Sequence, residues 1–185
     1  MKARQEVLVI DGPTGAGKST LLRYIRQTKS DRFRIVKKLT TRDRRARGDD
    51  DHRFVANIPN SDELLAYRDV GASYAIDLGE IEKLRAKSLI ATFVCTHTGV
   101  LAELKKRYRT LAVYVHRPTD EETLRRLMLR RGVTADANIE QRLAELAELA
   151  GRYSDRIMLY DHVILNIWSI DVALIQIDKI CSAQQ

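Results

Sequence analysis

The sequence predicts an α/β fold: a parallel five-stranded sheet with helices on both faces, interrupted by an insertion in the first half of the chain. Three observations predict it. Short apolar runs recur without the polar alternation of a half-exposed strand, as strands buried on both faces require. Helical patterns separate several of these runs, and strand–helix–strand alternation leads to parallel pairing. The first run enters the first helical stretch through a turn containing Gly12, Gly15 and Gly17, a junction that belongs at the end of a buried strand.

Val7-Leu-Val-Ile-Asp11 is the first strand, and Lys18 to Gln27 the helix that follows it. Phe33 to Leu39 reads as the second strand, Leu89 to Cys95 as the third, Leu111 to His116 as the fourth and His162 to Leu165 as the fifth. Helices are predicted over Leu78 to Lys87, Val100 to Arg107, Glu121 to Arg130 and Ile139 to Ala150. Thr119 and Glu122 stand at capping-box spacing before the third of these, where each would satisfy an amide of the first turn. Ile139, Leu143, Leu146 and Ala150 recur at helical spacing and form one apolar face for core packing. Thr40 to Asp77 breaks the rhythm and reads as an insertion. With no linker-like stretch, the 185 residues form a single domain, 1–185.

The composition, 44% hydrophobic and 31% charged, is that of a globular protein. No apolar run approaches the roughly 20 residues of a membrane span, and Val7 to Ile10 is too short for a signal-peptide core. Two cysteines, Cys95 and Cys181, imply no disulfide framework, so a reducing cytoplasm is the expected compartment. The net charge of +7 favours anionic partners. Single-stranded nucleic acid would call for aromatic stacking residues along a basic surface. Aromatics are 6% here, so nucleic acid is not the expected partner.

Gly12-Pro13-Thr14-Gly15-Ala16-Gly17-Lys18-Ser19 fits G-x-x-x-x-G-K-[ST] in full, between a strand and a helix. Its glycines let backbone N–H groups fold around phosphate oxygens, and the helix N-terminus adds positive potential. The motif assigns Lys18 to the β- and γ-phosphates, the Ser19 hydroxyl to Mg²⁺ and Thr20 to a further phosphate contact. A P-loop NTPase fold with ATP and Mg²⁺ as cofactors is therefore expected. Two basic clusters accompany it: six basic residues in Lys37 to Arg47 and four arginines in Arg125 to Arg131. Phosphoryl transfer needs charge neutralisation and positioning, and the arginine fork pairs bidentately with phosphate.

Further segments resemble the guanylate kinase family of P-loop nucleoside monophosphate kinases. Leu39-Thr-Thr-Arg42 with Arg45 resembles its T-T-R-x-x-R segment, Phe54-Val55 its F-V pair, and Gly71-Ala-Ser-Tyr74 its G-N-Y-Y segment. Leu124 to Gly132 and Ile139 to Leu143 resemble its lid, and Asp161-His-Val-Ile-Leu-Asn166 the end of its last strand. The resemblance implies phosphoryl transfer from ATP to a small phosphorylated acceptor. It places Arg42, Arg45, Tyr74 and His52 at the acceptor, and Lys18, Arg131 and Arg142 at the transferring phosphate. It divides the chain into a core (1–39, 78–122, 143–185), an acceptor-binding insertion (40–77) and a lid (123–142). Arg44, Arg47 and Arg125 read as a solvated face.

The departures concern guanine. His52 replaces a tyrosine, Leu65 falls on or near the guanine-reading glutamate, and Phe93-Val-Cys-Thr-His-Thr98 lacks the family's acidic residues. The phosphate-gripping groups survive and the base-reading ones do not, so guanosine monophosphate is not the expected best acceptor. Asp49, Asp50, Asp51 or Asp69 is a candidate replacement carboxylate, and His97 a candidate site residue. The chain is also similar to ribose 1,5-bisphosphate kinases through Thr41-Arg-Asp43 and Asp50-Asp-His52. Guanylate kinase-like scaffold modules that have lost nucleotide binding form an alternative of another class, which the complete P-loop opposes.

Overall fold

The computed structural model describes residues 5–44, 50–69, 71–118, 120–130, 140, 144 and 156–183. In chain order the first elements are β1 (Val7–Asp11), α1 (Lys18–Thr28), β2 (Phe33–Ile35), β3 (Lys38–Thr40), β4 (His52–Phe54), β5 (Leu64–Asp69) and β6 (Ala72–Asp77). There follow α2 (Leu78–Ala86), β7 (Ile90–Val94), α3 (Thr98–Arg107), β8 (Thr110–His116), α4 (Glu121–Arg130), β9 (His162–Leu165) and a C-terminal helix, α5 (Ile170–Ser182).

A five-stranded sheet runs in the order β2-β7-β1-β8-β9, and its pairings are all parallel. This is the predicted fold class. β1 and β7 are buried throughout, because helices cover both faces. Val7 and Val9 join Phe93, Ile81 of α2 and Leu101 of α3 in one apolar cluster. Leu8 and Ile10 join Leu21 and Ile25 of α1 and Ile177 of α5 in the other. Fully buried side chains such as Ile10 and Phe93 each contribute about 1.5–3 kcal/mol of transfer free energy.

Three sequence expectations change. The stretch Phe33 to Leu39 is not one strand. β2 pairs with β7, the Val36 amide still bonds Thr92 O, and two residues later β3 belongs to a second sheet. Thr40 to Asp77 is also more than an insertion of loops: with β3 it makes a four-stranded sheet ordered β4-β3-β6-β5. β3 and β4 pair in parallel, whereas β6 pairs antiparallel with both β3 and β5. Finally, the first turn of α4 is capped by Asp120, whose carboxylate accepts from the Thr123 amide and hydroxyl at 2.7 and 2.9 Å. Thr119 lies outside the described residues, as does most of the helix expected over 139–150.

Helix α5 was not read from the sequence. Its buried residues Ala173, Ile177 and Cys181 recur at spacings of four and seat it against α1 and β9. Among the described residues no helix is long and apolar enough to cross a membrane.

Candidate active site

The turn after β1 is shaped by its glycines. Gly12 and Gly17 have φ of 140° and 98°. A Cβ on Gly12 would stand 2.4 Å from the Val115 carbonyl oxygen, and one on Gly17 would stand 2.9 Å from Asn166 Nδ2. Only glycine gives both the backbone angle and the space. α1 begins at Lys18 without a side-chain cap or an acidic residue in its first turn. Its N-terminus therefore presents positive potential to an anion. Lys18 Nζ donates to Gly12 O and Pro13 O at 2.5 and 2.8 Å, which lays the ammonium across the loop.

Distant residues hold this loop from behind. Asn166 Nδ2 donates to Ala16 O at 2.8 Å, and Arg117 Nη1 to Gly15 O at 3.3 Å. The Asp11 carboxylate accepts the Gly12 amide and the Tyr160 hydroxyl, both at 2.5 Å. Burial pushes Asp11 above the usual carboxylate range, although Tyr160, Lys18 and the Gly12 amide pull it back. Burial and the neighbouring Asp11 push the Tyr160 phenol up as well. Nothing local in the sequence marks Asp11, Tyr160 or Asn166 for the cradle, because the bonds from Tyr160 to Asp11 and from Asn166 to Ala16 join distant elements.

The cradle suits a nucleoside triphosphate, with glycines where side chains would obstruct it and Lys18 at its mouth. Ser19 opens on a crevice that Arg23, Arg26, Asp50 and Asp51 also line. A hydroxyl with carboxylates nearby fits Mg²⁺, a hard cation that keeps waters and substrate phosphate oxygens as its other ligands. No cluster of three or more metal-ligating side chains occurs among the described residues, so the protein part of such a site is sparse.

The second sheet supplies the facing wall. Strand register puts Lys38 and Thr40 of β3, His52 of β4, Tyr74 of β6, and Tyr67 and Asp69 of β5 on one face. Tyr67 and Tyr74 pack with Phe93 and Cys95 of the core, so this face looks onto the carboxyl end of β7. In open α/β sheets that end is where ligands bind. The two tyrosine rings stack at 5.4 Å, and His52 meets Tyr74 edge-on at 6.1 Å. Asp51 Oδ1 lies 2.9 Å from His52 Nδ1. Burial pushes the His52 imidazolium below the ordinary histidine range, with Asp51 opposing it. Thr96, just beyond β7, donates to Asp69 Oδ2 at 2.7 Å. Arg42 Nη2 lies 3.5 Å from His52 Nδ1, and the Arg42 guanidinium sits 5.2 Å from the Phe54 ring centre.

Arg42, His52 and Tyr74 are thus brought together. Arg45, Arg131 and Arg142 lie outside the described residues, as does Asp49. His97 turns out to be a cap: its Nδ1 accepts the Val100 amide at 3.2 Å and starts α3. Thr98 accepts from Arg156, and Asp50 pairs with Arg26 at 3.7 Å. Arg44 is exposed, but its guanidinium lies 4.5 Å from the Phe54 ring centre, so it stacks where only solvation was expected. Arg125 and Arg126 pair with Glu140 and Glu122.

The guanylate kinase family model matches residues 4–184, nearly the whole chain. The chain belongs to the guanylate kinase family. Its reaction is an ATP-dependent phosphoryl transfer to a phosphorylated acceptor. Guanylate kinase of Mycoplasmoides gallisepticum is 28% identical over 169 residues, covering 86% of this chain and 84% of that protein. Ribose 1,5-bisphosphate phosphokinase PhnN of Pseudomonas paraeruginosa is 31% identical over 150 residues, covering 78% and 80%. The crystal structure of guanylate kinase from Anaplasma phagocytophilum superposes with a TM-score of 0.63 at 20% identity, over all of this chain and 88% of that one, and shares the fold. Within this guanylate kinase-family chain, Leu65 is partly buried against the core cluster. It brings no polar group to the facing wall. Asp51 and Asp69, paired with His52 and Thr96, are carboxylates there.

Proposed function

We propose that this chain transfers the γ-phosphate of ATP, with Mg²⁺ bound beside Ser19, to a small acceptor whose own phosphate is gripped by Arg42, Arg45, His52 and Tyr74. One observation carries the proposal: a glycine cradle and an arginine-bearing sheet face stand together at the carboxyl end of one parallel sheet. In this proposal residues 12–20 hold the triphosphate, and Lys18, Arg131 and Arg142 neutralise charge on the transferring group. The insertion (40–77) and lid (123–142) close over the core (1–39, 78–122, 143–185) to exclude water, which would otherwise hydrolyse ATP. Mg²⁺ supplies Lewis-acid neutralisation of the phosphate oxygens when bound. The cytoplasm is the proposed compartment, and nucleic acid is not a proposed partner.

The acceptor proposed is not guanosine monophosphate. Guanine presents an N–H and an amine that need good acceptors, and Leu65 offers none. The similarity to a ribose 1,5-bisphosphate phosphokinase supports a second reading in which the acceptor is a sugar phosphate. A coupled ADP-release assay with ATP, Mg²⁺ and a panel of acceptors tests both. The panel holds the common nucleoside monophosphates and ribose 1,5-bisphosphate. The expected outcome is turnover with guanosine monophosphate not leading. A tenfold or greater lead in kcat/KM for guanosine monophosphate, about 1.4 kcal/mol of transition-state preference, overturns the acceptor assignment. No turnover with any acceptor overturns the kinase assignment.

A further inference from the structure

Lys38 is the unexplained charge of the acceptor side. It stands on β3, four residues before Arg42, and only 6% of it is exposed. No hydrogen bond or ion pair holds its Nζ among the described residues. The contact of its ammonium is the Tyr74 ring, whose centre is 5.5 Å away. The neighbouring carboxylates are engaged, Asp51 with His52 and Asp69 with Thr96, and both act on Lys38 beyond ion-pair range. Burial pushes the ammonium below the ordinary lysine range, with Cys95, Asp51 and Asp69 opposing and Arg42 reinforcing the shift. Lysine is almost never buried unless paired, because desolvating an unpaired charge is costly. A fold that merely needed to fill this position would use an apolar residue, as it does at Leu39 next door.

We infer that Lys38 is a second anion subsite, and that the acceptor carries a negative group at the end remote from its reacting phosphate, as a sugar bisphosphate does. The inference rests on the kinase reading above. The Lys38 ammonium reaches the Tyr74 ring and Arg42 reaches His52, which meets Tyr74 edge-on, so the two cations flank this aromatic pair. A short sugar with a phosphate at each end offers two anions to such a pair of cations. Tyr67 and Tyr74 form a flat wall beside them. Asp69, held by Thr96, stands on the same face and is an acceptor for sugar hydroxyls. When a phosphate arrives, Lys38 gains the partner that the folded protein withholds, and discrimination follows. An acceptor without the remote charge leaves the buried ammonium unpaired.

The test compares Lys38→Met and Lys38→Arg with the unaltered chain, using ribose 1,5-bisphosphate as the doubly charged acceptor and guanosine monophosphate as the singly phosphorylated one. ATP binding is measured by calorimetry. Lys38→Met is expected to lower kcat/KM for the bisphosphate about 10- to 100-fold, mostly through KM. Activity toward guanosine monophosphate should change less than about threefold, and ATP affinity should be unaltered. Lys38→Arg keeps the charge, so it should retain most of the preference even where Lys38→Met folds poorly. Equal losses with both acceptors would mean a packing role and overturn the inference, as would an unaltered bisphosphate preference in Lys38→Met. An unaltered chain that prefers guanosine monophosphate also overturns it. An unaltered chain that phosphorylates neither acceptor, nor any other, defeats the kinase reading instead.

Discussion

In the proposed function, the cradle and the acceptor wall would bind the same kind of group by opposite means. At the cradle, the recognition atoms are backbone amides of consecutive residues, and the side chains are mostly removed: three of the loop residues are glycines with positive φ. At the wall, the groups proposed for recognition are side chains carried by a second, four-stranded sheet. The lesson concerns tolerance. A backbone site fixes the ligand class, because every amide reads the same thing, a negative oxygen. A side-chain site is rewritten one residue at a time. That is how a family can keep one donor and change acceptors.

Three substitutions probe this contrast. The largest effect is expected from Lys18→Ala, which removes the one side-chain charge at the cradle's mouth. Turnover should fall by at least about 10²–10³-fold with the fold intact by circular dichroism. Near-normal activity in a folded variant would remove Lys18 from the chemistry. Arg42→Ala comes next and should separate the two regions. The acceptor KM should rise roughly 10- to 100-fold, as for a lost charge-assisted hydrogen bond, with ATP affinity nearly unchanged. Equal losses for both substrates would place Arg42 elsewhere.

The smallest effect is a matter of pH. Burial raises Asp11, so the folded chain binds that proton more tightly than the unfolded chain. The resulting stability is fully present below the unfolded value of 3.8 and is lost as pH rises through the raised folded value. Asp11→Asn lacks this loss. Its thermal stability should therefore gain on the unaltered chain as pH rises above the unfolded value. A difference independent of pH would show that Asp11 ionises as freely when folded as when unfolded.

The same contrast explains what was legible in the sequence. Gly12 to Ser19 could be read directly, because a backbone site is written in adjacent residues, and β1, α4 and β9 followed from short-range pattern. The wall could not be read, because it exists only through strand register. Nothing local announces that Tyr74 sits opposite Thr40 or that Asp69 reaches Thr96. The break between β2 and β3 was missed for a related reason. Phe33 to Leu39 is one continuous strand-like run, and only the tertiary fold decides that its two ends pair in different sheets. His97 was a candidate from its place at a strand end, and only the fold shows that its Nδ1 starts α3 while its ring lies 5.3 Å from that of Tyr67.

The bond from Asn166 to Ala16 spans 150 residues of sequence, and that from Tyr160 to Asp11 spans 149. During synthesis, therefore, the eight residues of the loop emerge long before these two supports. A nascent chain stalled or cut before Tyr160 carries the complete motif but neither the carbonyl clamp at Ala16 nor the hydroxyl on Asp11. The last strand thus acts as a latch.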